Sequence, residues 1–171
     1  MNHATDPRTG EPLEPTYRAA FAMSEHSARH LRRVLHLYLT GWGLLDVADA
    51  AELALTELIA NVVRHVPGRL CQTFIFRLPD GGVRVEVADG YAELPRVTAR
   101  DTLDEGGRGL ILVDAVTDRW GAEPRRDGAG KTVWFECLPA KKEGQGQGQG
   151  TARRPRPSAF RTQLREHCVR E

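Results

Sequence analysis

A long helical pattern from Val47 to His65 constrains this chain more than any other stretch. Leu55, Leu58, Ile59, Val62 and Val63 give it an apolar stripe that must dock on a core. Glu57, Asn61 and His65 recur every fourth position, and 3.6 residues per turn stacks them on one face beside that stripe. A carboxylate, an amide and an imidazole in one row suit a site. An amphipathic helix with satisfied polar edges has the same pattern, and this stretch alone leaves both readings open.

The flanking elements have signals of their own. Residues 1–16, with Pro7, Gly10, Pro12 and Pro15 among charges, predict a flexible lead-in. Tyr17 to Met23 predicts a first strand. Ser24 is a cap for a helix carrying Leu31, Val34, Leu35 and Tyr38, ended by Gly41 and Gly43. His26, His30 and His36 fall among arginines on its expected wet side. Asp46 is the expected N-cap of the long helix, with Asp49 in its first turn, and Pro67-Gly68 stops it. Phe74 to Leu78 and Val83 to Ala88 predict two strands around the turn Pro79-Asp80-Gly81-Gly82, the second with valines inward and charges outward. From Gly90 to Glu105 no period is sustained, which predicts a long loop of the kind that serves as a lid. Gly106-Gly107-Arg108-Gly109 opens a short helix, Leu110 to Val116. A strand beginning within Asp118 to Gly121, with Trp120 inward, then a turn at Asp127–Gly130 and a strand Lys131 to Leu138 complete the pattern.

Charge separates this body from the C-terminal tail. Residues 141–171 carry eight Lys/Arg against three Glu, a net +5, which leaves −4 on the remainder of a chain whose total is +1. An acidic body argues against nucleic acid as a direct ligand. The Gly-Gln repeat and the Arg/Pro-rich stretch predict a disordered tail over 140–171, after a domain at 17–139. Cys71, Cys137 and Cys168 form no C-x-x-C pair, so neither a zinc site nor a disulfide framework is expected. With no apolar run of membrane-helix length and a polar start, the expectation is a cytoplasmic protein without a membrane segment.

Three pieces in order carry a resemblance. Glu57-Leu58-x-x-Asn61 with His65 resembles the N-box of the GHKL (histidine-kinase-like) ATPase superfamily. Asp89-Gly90, closing an alternating strand, resembles its G1 box, although Tyr91 stands where the usual Asp-x-Gly has glycine. Gly107-Arg108-Gly109-Leu110 resembles the G2 box, where glycines and a helix N-terminus suit phosphate. Gly128-Ala129-Gly130-Lys131-Thr132 imitates the end of a Walker A loop and is rejected: Arg125 stands where its first glycine belongs, and a strand comes next instead of a helix.

The resemblance implies an α/β fold, a two-layer sandwich with a mixed, mostly antiparallel sheet and helices on one face. It implies ATP and Mg²⁺ as ligands. Asn61 would hold the metal, Glu57 would be the catalytic residue that deprotonates or orients the attacking hydroxyl, and Asp89 would read adenine with Thr132 in support. His65, Gly107, Arg108, Gly109 and Leu110 would complete the nucleotide site. The run from Gly107 through Leu112-Val113, Trp120-Gly121 and Gly130-Lys131-Thr132-Val133 is similar to the anti-sigma-factor serine/threonine kinase branch. That branch implies phosphorylation of an anti-anti-sigma partner, sequestration of a sigma factor, and scope for a homodimer. A non-catalytic ATP-dependent partner switch and a pure protein-interaction domain are the alternatives.

Overall fold

The computed structural model describes residues 5–6, 9–94, 108–125 and 127–140, with the backbone alone for Glu25 and Arg108. The expected lid, Gly107 and the tail beyond Ala140 lie outside the described residues. The described residues form five strands and three α-helices: β1 (Tyr17–Ala22), α1 (Glu25–Trp42), α2 (Ala48–His65), β2 (Leu70–Arg77), β3 (Val83–Asp89), α3 (Arg108–Val116), β4 (Arg119–Pro124) and β5 (Lys131–Cys137). They form a two-layer α/β sandwich. The sheet runs β1-β2-β3-β5-β4, and all four pairings are antiparallel, with no parallel pair among the described residues.

Local chemistry accounts for most boundaries. The Ser24 hydroxyl accepts from the Ser27 N–H at 3.2 Å and caps α1. Gly43, at φ +72°, ends that helix by donating to the Thr40 carbonyl at 3.1 Å. The Asp46 cap is a correction. A single 3₁₀ turn, Leu45–Val47, precedes α2, the N-cap position falls to Val47, and no side chain caps it. The Asp46 carboxylate instead accepts from the Ala140 N–H at 3.4 Å, tying the end of the sheet to the helix layer. The lead-in carries a Thr5–Pro12 bridge, and Leu13 packs on the sheet.

One core joins the layers. Leu31, Leu35 and Leu39 of α1 and Leu55, Leu58, Ile59 and Val62 of α2 meet Ile75, Val83, Val85, Val87, Val133 and Phe135 of the sheet. Leu31, Leu35, Leu39 and Leu55 are sealed from solvent; burial of each such side chain contributes about 1.5–3 kcal/mol. Pairing register assigns the faces. Cys71, Thr73, Ile75, Val85, Val87, Asp89, Lys131, Val133 and Phe135 share the helix side, while Phe74, Phe76, Arg84, Glu86, Ala88, Thr132, Trp134 and Glu136 share the other.

That second face corrects the expectation that β3 turns its charges out to water. Glu86 is only 2 % exposed. Arg84 donates to Glu86 at 2.7 Å and to Glu136 at 3.0 Å, and its guanidinium lies 3.9 Å from the centre of the Trp134 ring. Arg119 adds a second bridge to Glu136 at 2.8 Å. Burial raises the Glu86 carboxyl above its ordinary value, with Arg84 pulling the other way.

Candidate nucleotide-binding site

Helix α2 carries Glu57 and Asn61 to the N-terminal end of α3. A β-carbon added to Gly109 would stand 2.7 Å from Glu57 Oε2 and 3.8 Å from Asn61 Oδ1. The first turn of α3 therefore lies directly on the polar row of α2, and only a glycine leaves the carboxylate where it is. Leu110 and Val113 bury the other side of α3 and hold it there. The first-turn amides of a helix lack internal partners and carry the positive end of its dipole, a setting for anionic oxygens.

Asp89 closes β3 on the same side of the sheet. It is 3 % exposed. Its Oδ1 accepts from the Tyr91 N–H at 2.8 Å and from Lys131 Nζ at 3.1 Å. Gly130 makes this strand end compact: a β-carbon there would fall 1.9 Å from the Asp89 carbonyl oxygen, so no other residue fits. Beside Asp89 in the ladder, burial pushes the Cys71 thiol up to about 12 and the Asp89 charge adds to the rise, so the thiol is neutral and inert. The Thr73 hydroxyl, one pair further into the sheet, is sealed from solvent and meets no hydrogen-bond geometry with any described residue, the neighbouring thiol included.

The donor set fits a nucleotide that brings its own metal. Among the described residues no group of three His, Cys, Asp or Glu could hold an ion alone. Magnesium commonly takes one or two protein oxygens and completes its shell with phosphates and water, and Glu57 and Asn61 present hard oxygens of that kind. A cleft of about 350 Å³ bordered by Arg29, Arg32, Arg33, His36 and Glu52 lies elsewhere, between α1 and α2, and takes in none of these residues.

Known proteins share the family and the fold. A sequence profile of the histidine kinase-like ATPase domain matches residues 21–137. The chain belongs to that family. A relative, uncharacterized protein SCO4941 of Streptomyces coelicolor, is 37% identical over 76 residues, which cover 43% of this chain and 72% of the relative. Two solved structures share the fold. The RsbU and RsbW domains of Rv1364c from Mycobacterium tuberculosis align with a TM-score of 0.51 at 17% identity, over 75% of this chain and 34% of that one. This chain thus spans about a third of that solved chain's length. The SiaB–SiaC complex from Pseudomonas aeruginosa aligns with a TM-score of 0.55 at 12% identity, over 73% of this chain and 89% of that one.

Within this histidine kinase-like ATPase domain, the residues singled out in the sequence take different places. Glu57, Asn61, Gly109 and Leu110 converge at the α2–α3 contact, and Asp89 stands at the sheet end. His65 lies exposed in the last turn of α2. Arg108 begins α3, while its side chain, with Gly107, is outside the described residues. Thr132 is the residue the fold does not bring to Asp89. It pairs with Ala88 and Glu123, and so takes the opposite face of the sheet. Lys131, its neighbour, is the residue that faces Asp89, and the alternation of a strand alone could have indicated it once the register was known.

Tyr91 also resolves. No non-glycine residue near it has positive φ; among the described residues only Arg69 does. The position needs no glycine for its backbone, and the tyrosine N–H is used to hold Asp89.

Proposed function

We propose that this chain binds Mg·ATP and acts as a regulatory serine/threonine-protein kinase of the anti-sigma type, phosphorylating an anti-anti-sigma partner and sequestering a sigma factor. The observation that carries the reading is the close packing of Gly109 on the Glu57 carboxylate and the Asn61 amide, which brings a carboxylate, an amide oxygen and the first turn of α3 into one small volume. Membership of the ATPase family supports the nucleotide, and the fold shared with an RsbW domain supports the branch.

The roles derive from the side chains. Asp89 accepts the exocyclic amine of adenine. The Gly109 and Leu110 amides, with Gly107 and Arg108 preceding them, receive the terminal phosphates. Asn61 supplies an oxygen to Mg²⁺, which when bound screens the phosphate charge. Glu57 accepts the proton of the partner's serine hydroxyl as its oxygen bonds to the γ-phosphorus and the bond from that phosphorus to the β,γ-bridging oxygen breaks, leaving ADP. Among the described residues no helix is long and apolar enough to cross a membrane, and we place the chain in the cytoplasm, acting through protein partners and not through nucleic acid or lipid. Residues 17–139 are the working domain in this reading, and a homodimer is compatible with it.

Glu57→Gln decides between kinase and switch. Its charge faces phosphates of the same sign, so ATP affinity should hold or improve. Phosphate transfer to a partner captured by pull-down should fall by about a hundred- to ten-thousandfold. Transfer at the normal rate would remove Glu57 from the base role. ATP binding by the native chain without transfer to any captured partner would make the protein a switch.

A further inference from the structure

The pairing of Asp89 with Lys131 puts an ammonium, not a hydroxyl, beside the carboxylate at the base end of the site. Both side chains are nearly sealed, at 8 % and 2 % exposure for lysine and aspartate. A lysine ammonium has three N–H donors and no acceptor. Two are used here: one goes to Asp89 Oδ1 at 3.1 Å and one to the Tyr91 carbonyl at 2.9 Å. On the aspartate, both contacts fall on Oδ1, and among the described residues none falls on Oδ2. Among the described residues the pair therefore retains one acceptor, Oδ2, and one donor, the third ammonium N–H. Buried charges tend to use their full bonding capacity, so such a remainder points to a ligand edge carrying one donor beside one acceptor.

The edge of adenine carries that pattern, with the exocyclic amine as donor and ring nitrogen N1 as acceptor. We propose that Lys131 is a second base-reading residue of the site. Its ammonium fixes the Asp89 carboxylate through Oδ1, leaving Oδ2 for the amine, and its third N–H donates to N1. Tyr91 belongs to the same device, since its N–H and carbonyl hold the two members and its ring lies 5.1 Å from the ammonium. Hypoxanthine and guanine in the same pose present a carbonyl oxygen to Asp89 and an N–H to Lys131, so both contacts become clashes of like partners. The inference rests on the Mg·ATP reading above and adds the means of selecting the base.

The test compares Mg·ATP with its 1-deaza analogue, in which N1 is replaced by C–H and the amine is kept. A hydrogen bond to a charged group contributes about 1.5–3 kcal/mol, so the native chain should bind the analogue roughly ten- to a hundredfold more weakly. Lys131→Met should weaken ATP binding by a similar factor and bind the two nucleotides equally. Equal affinity of the native chain for both nucleotides would overturn the proposal while leaving the nucleotide reading intact, and that comparison needs no variant to fold. Retained discrimination in Lys131→Met would overturn it as well. A native chain that binds neither nucleotide would instead bring down the Mg·ATP reading.

Discussion

Strands β3 and β5 carry two buried ion-pair clusters on opposite faces of one sheet, and the two are built to different degrees of completion. On the outer face, Arg84 joins Glu86 and Glu136, stacks on Trp134, and shares Glu136 with Arg119. Every charge there has a partner of opposite sign in the protein. On the helix face, Asp89 and Lys131 stand at the strand end with an oxygen and an N–H that no described residue uses. The complete cluster is a structural joint; the incomplete one is, in the proposal above, a receptor. Buried charge by itself separates neither role; the remaining bonding capacity does.

Removing a member of each cluster breaks the comparison in opposite directions. Arg84→Met should have the larger effect on folding, because it strands Glu86 in a nearly dry setting. Loss of one partner of a buried pair costs about 3–5 kcal/mol, while Mg·ATP affinity of the folded fraction should stay within about twofold. Chemical denaturation beside a nucleotide titration checks both. The pH dependence sharpens it. Burial already holds the Glu86 carboxyl above its ordinary value, and loss of Arg84 raises it further. A carboxylate raised in the folded state contributes stability that is present at low pH and lost as pH rises through the folded value. The deficit of Arg84→Met should therefore be greatest near neutral pH and shrink on acidification towards the ordinary glutamate range.

Asp89→Asn should do the reverse. It replaces the acceptor facing the adenine amine and is expected to lower ATP affinity about ten- to a hundredfold, as an unpaired buried polar group costs about 1–3 kcal/mol. Preference for ATP over GTP should shrink with it. Selectivity that survives unchanged would show that Asp89 does not read the base.

Legibility in the sequence tracks the range of the physics. Helix caps and turns are local, so Ser24, Gly43 and Pro67-Gly68 announced themselves. The polar row of α2 was legible because helical periodicity is a property of one segment. Asp46 misled because its cap signature competes with a 3₁₀ turn that only the packing of Leu44 and Val47 selects. The burial of Glu86 depends on Phe74, Phe76 and Trp134 arriving from other strands, which alternation within β3 cannot disclose. Thr132 and Lys131 differ by one residue, and one residue is a change of face. The Gly109 contact joins helices far apart in the chain, so its geometry was beyond any local signal, although the residue types were in plain view.

Nucleotide affinity of Asn61→Ala, with and without Mg²⁺, tests the site most directly. The amide's assigned work is to hold the metal, so Mg·ATP binding should weaken by at least about tenfold, the order expected when one charge-linked contact of about 1.5–3 kcal/mol is lost. Metal-free ATP should bind the variant and the native chain alike. Equal losses in the two conditions, or no loss in either, would contradict the assignment of the Glu57–Asn61 row to a metal–phosphate site.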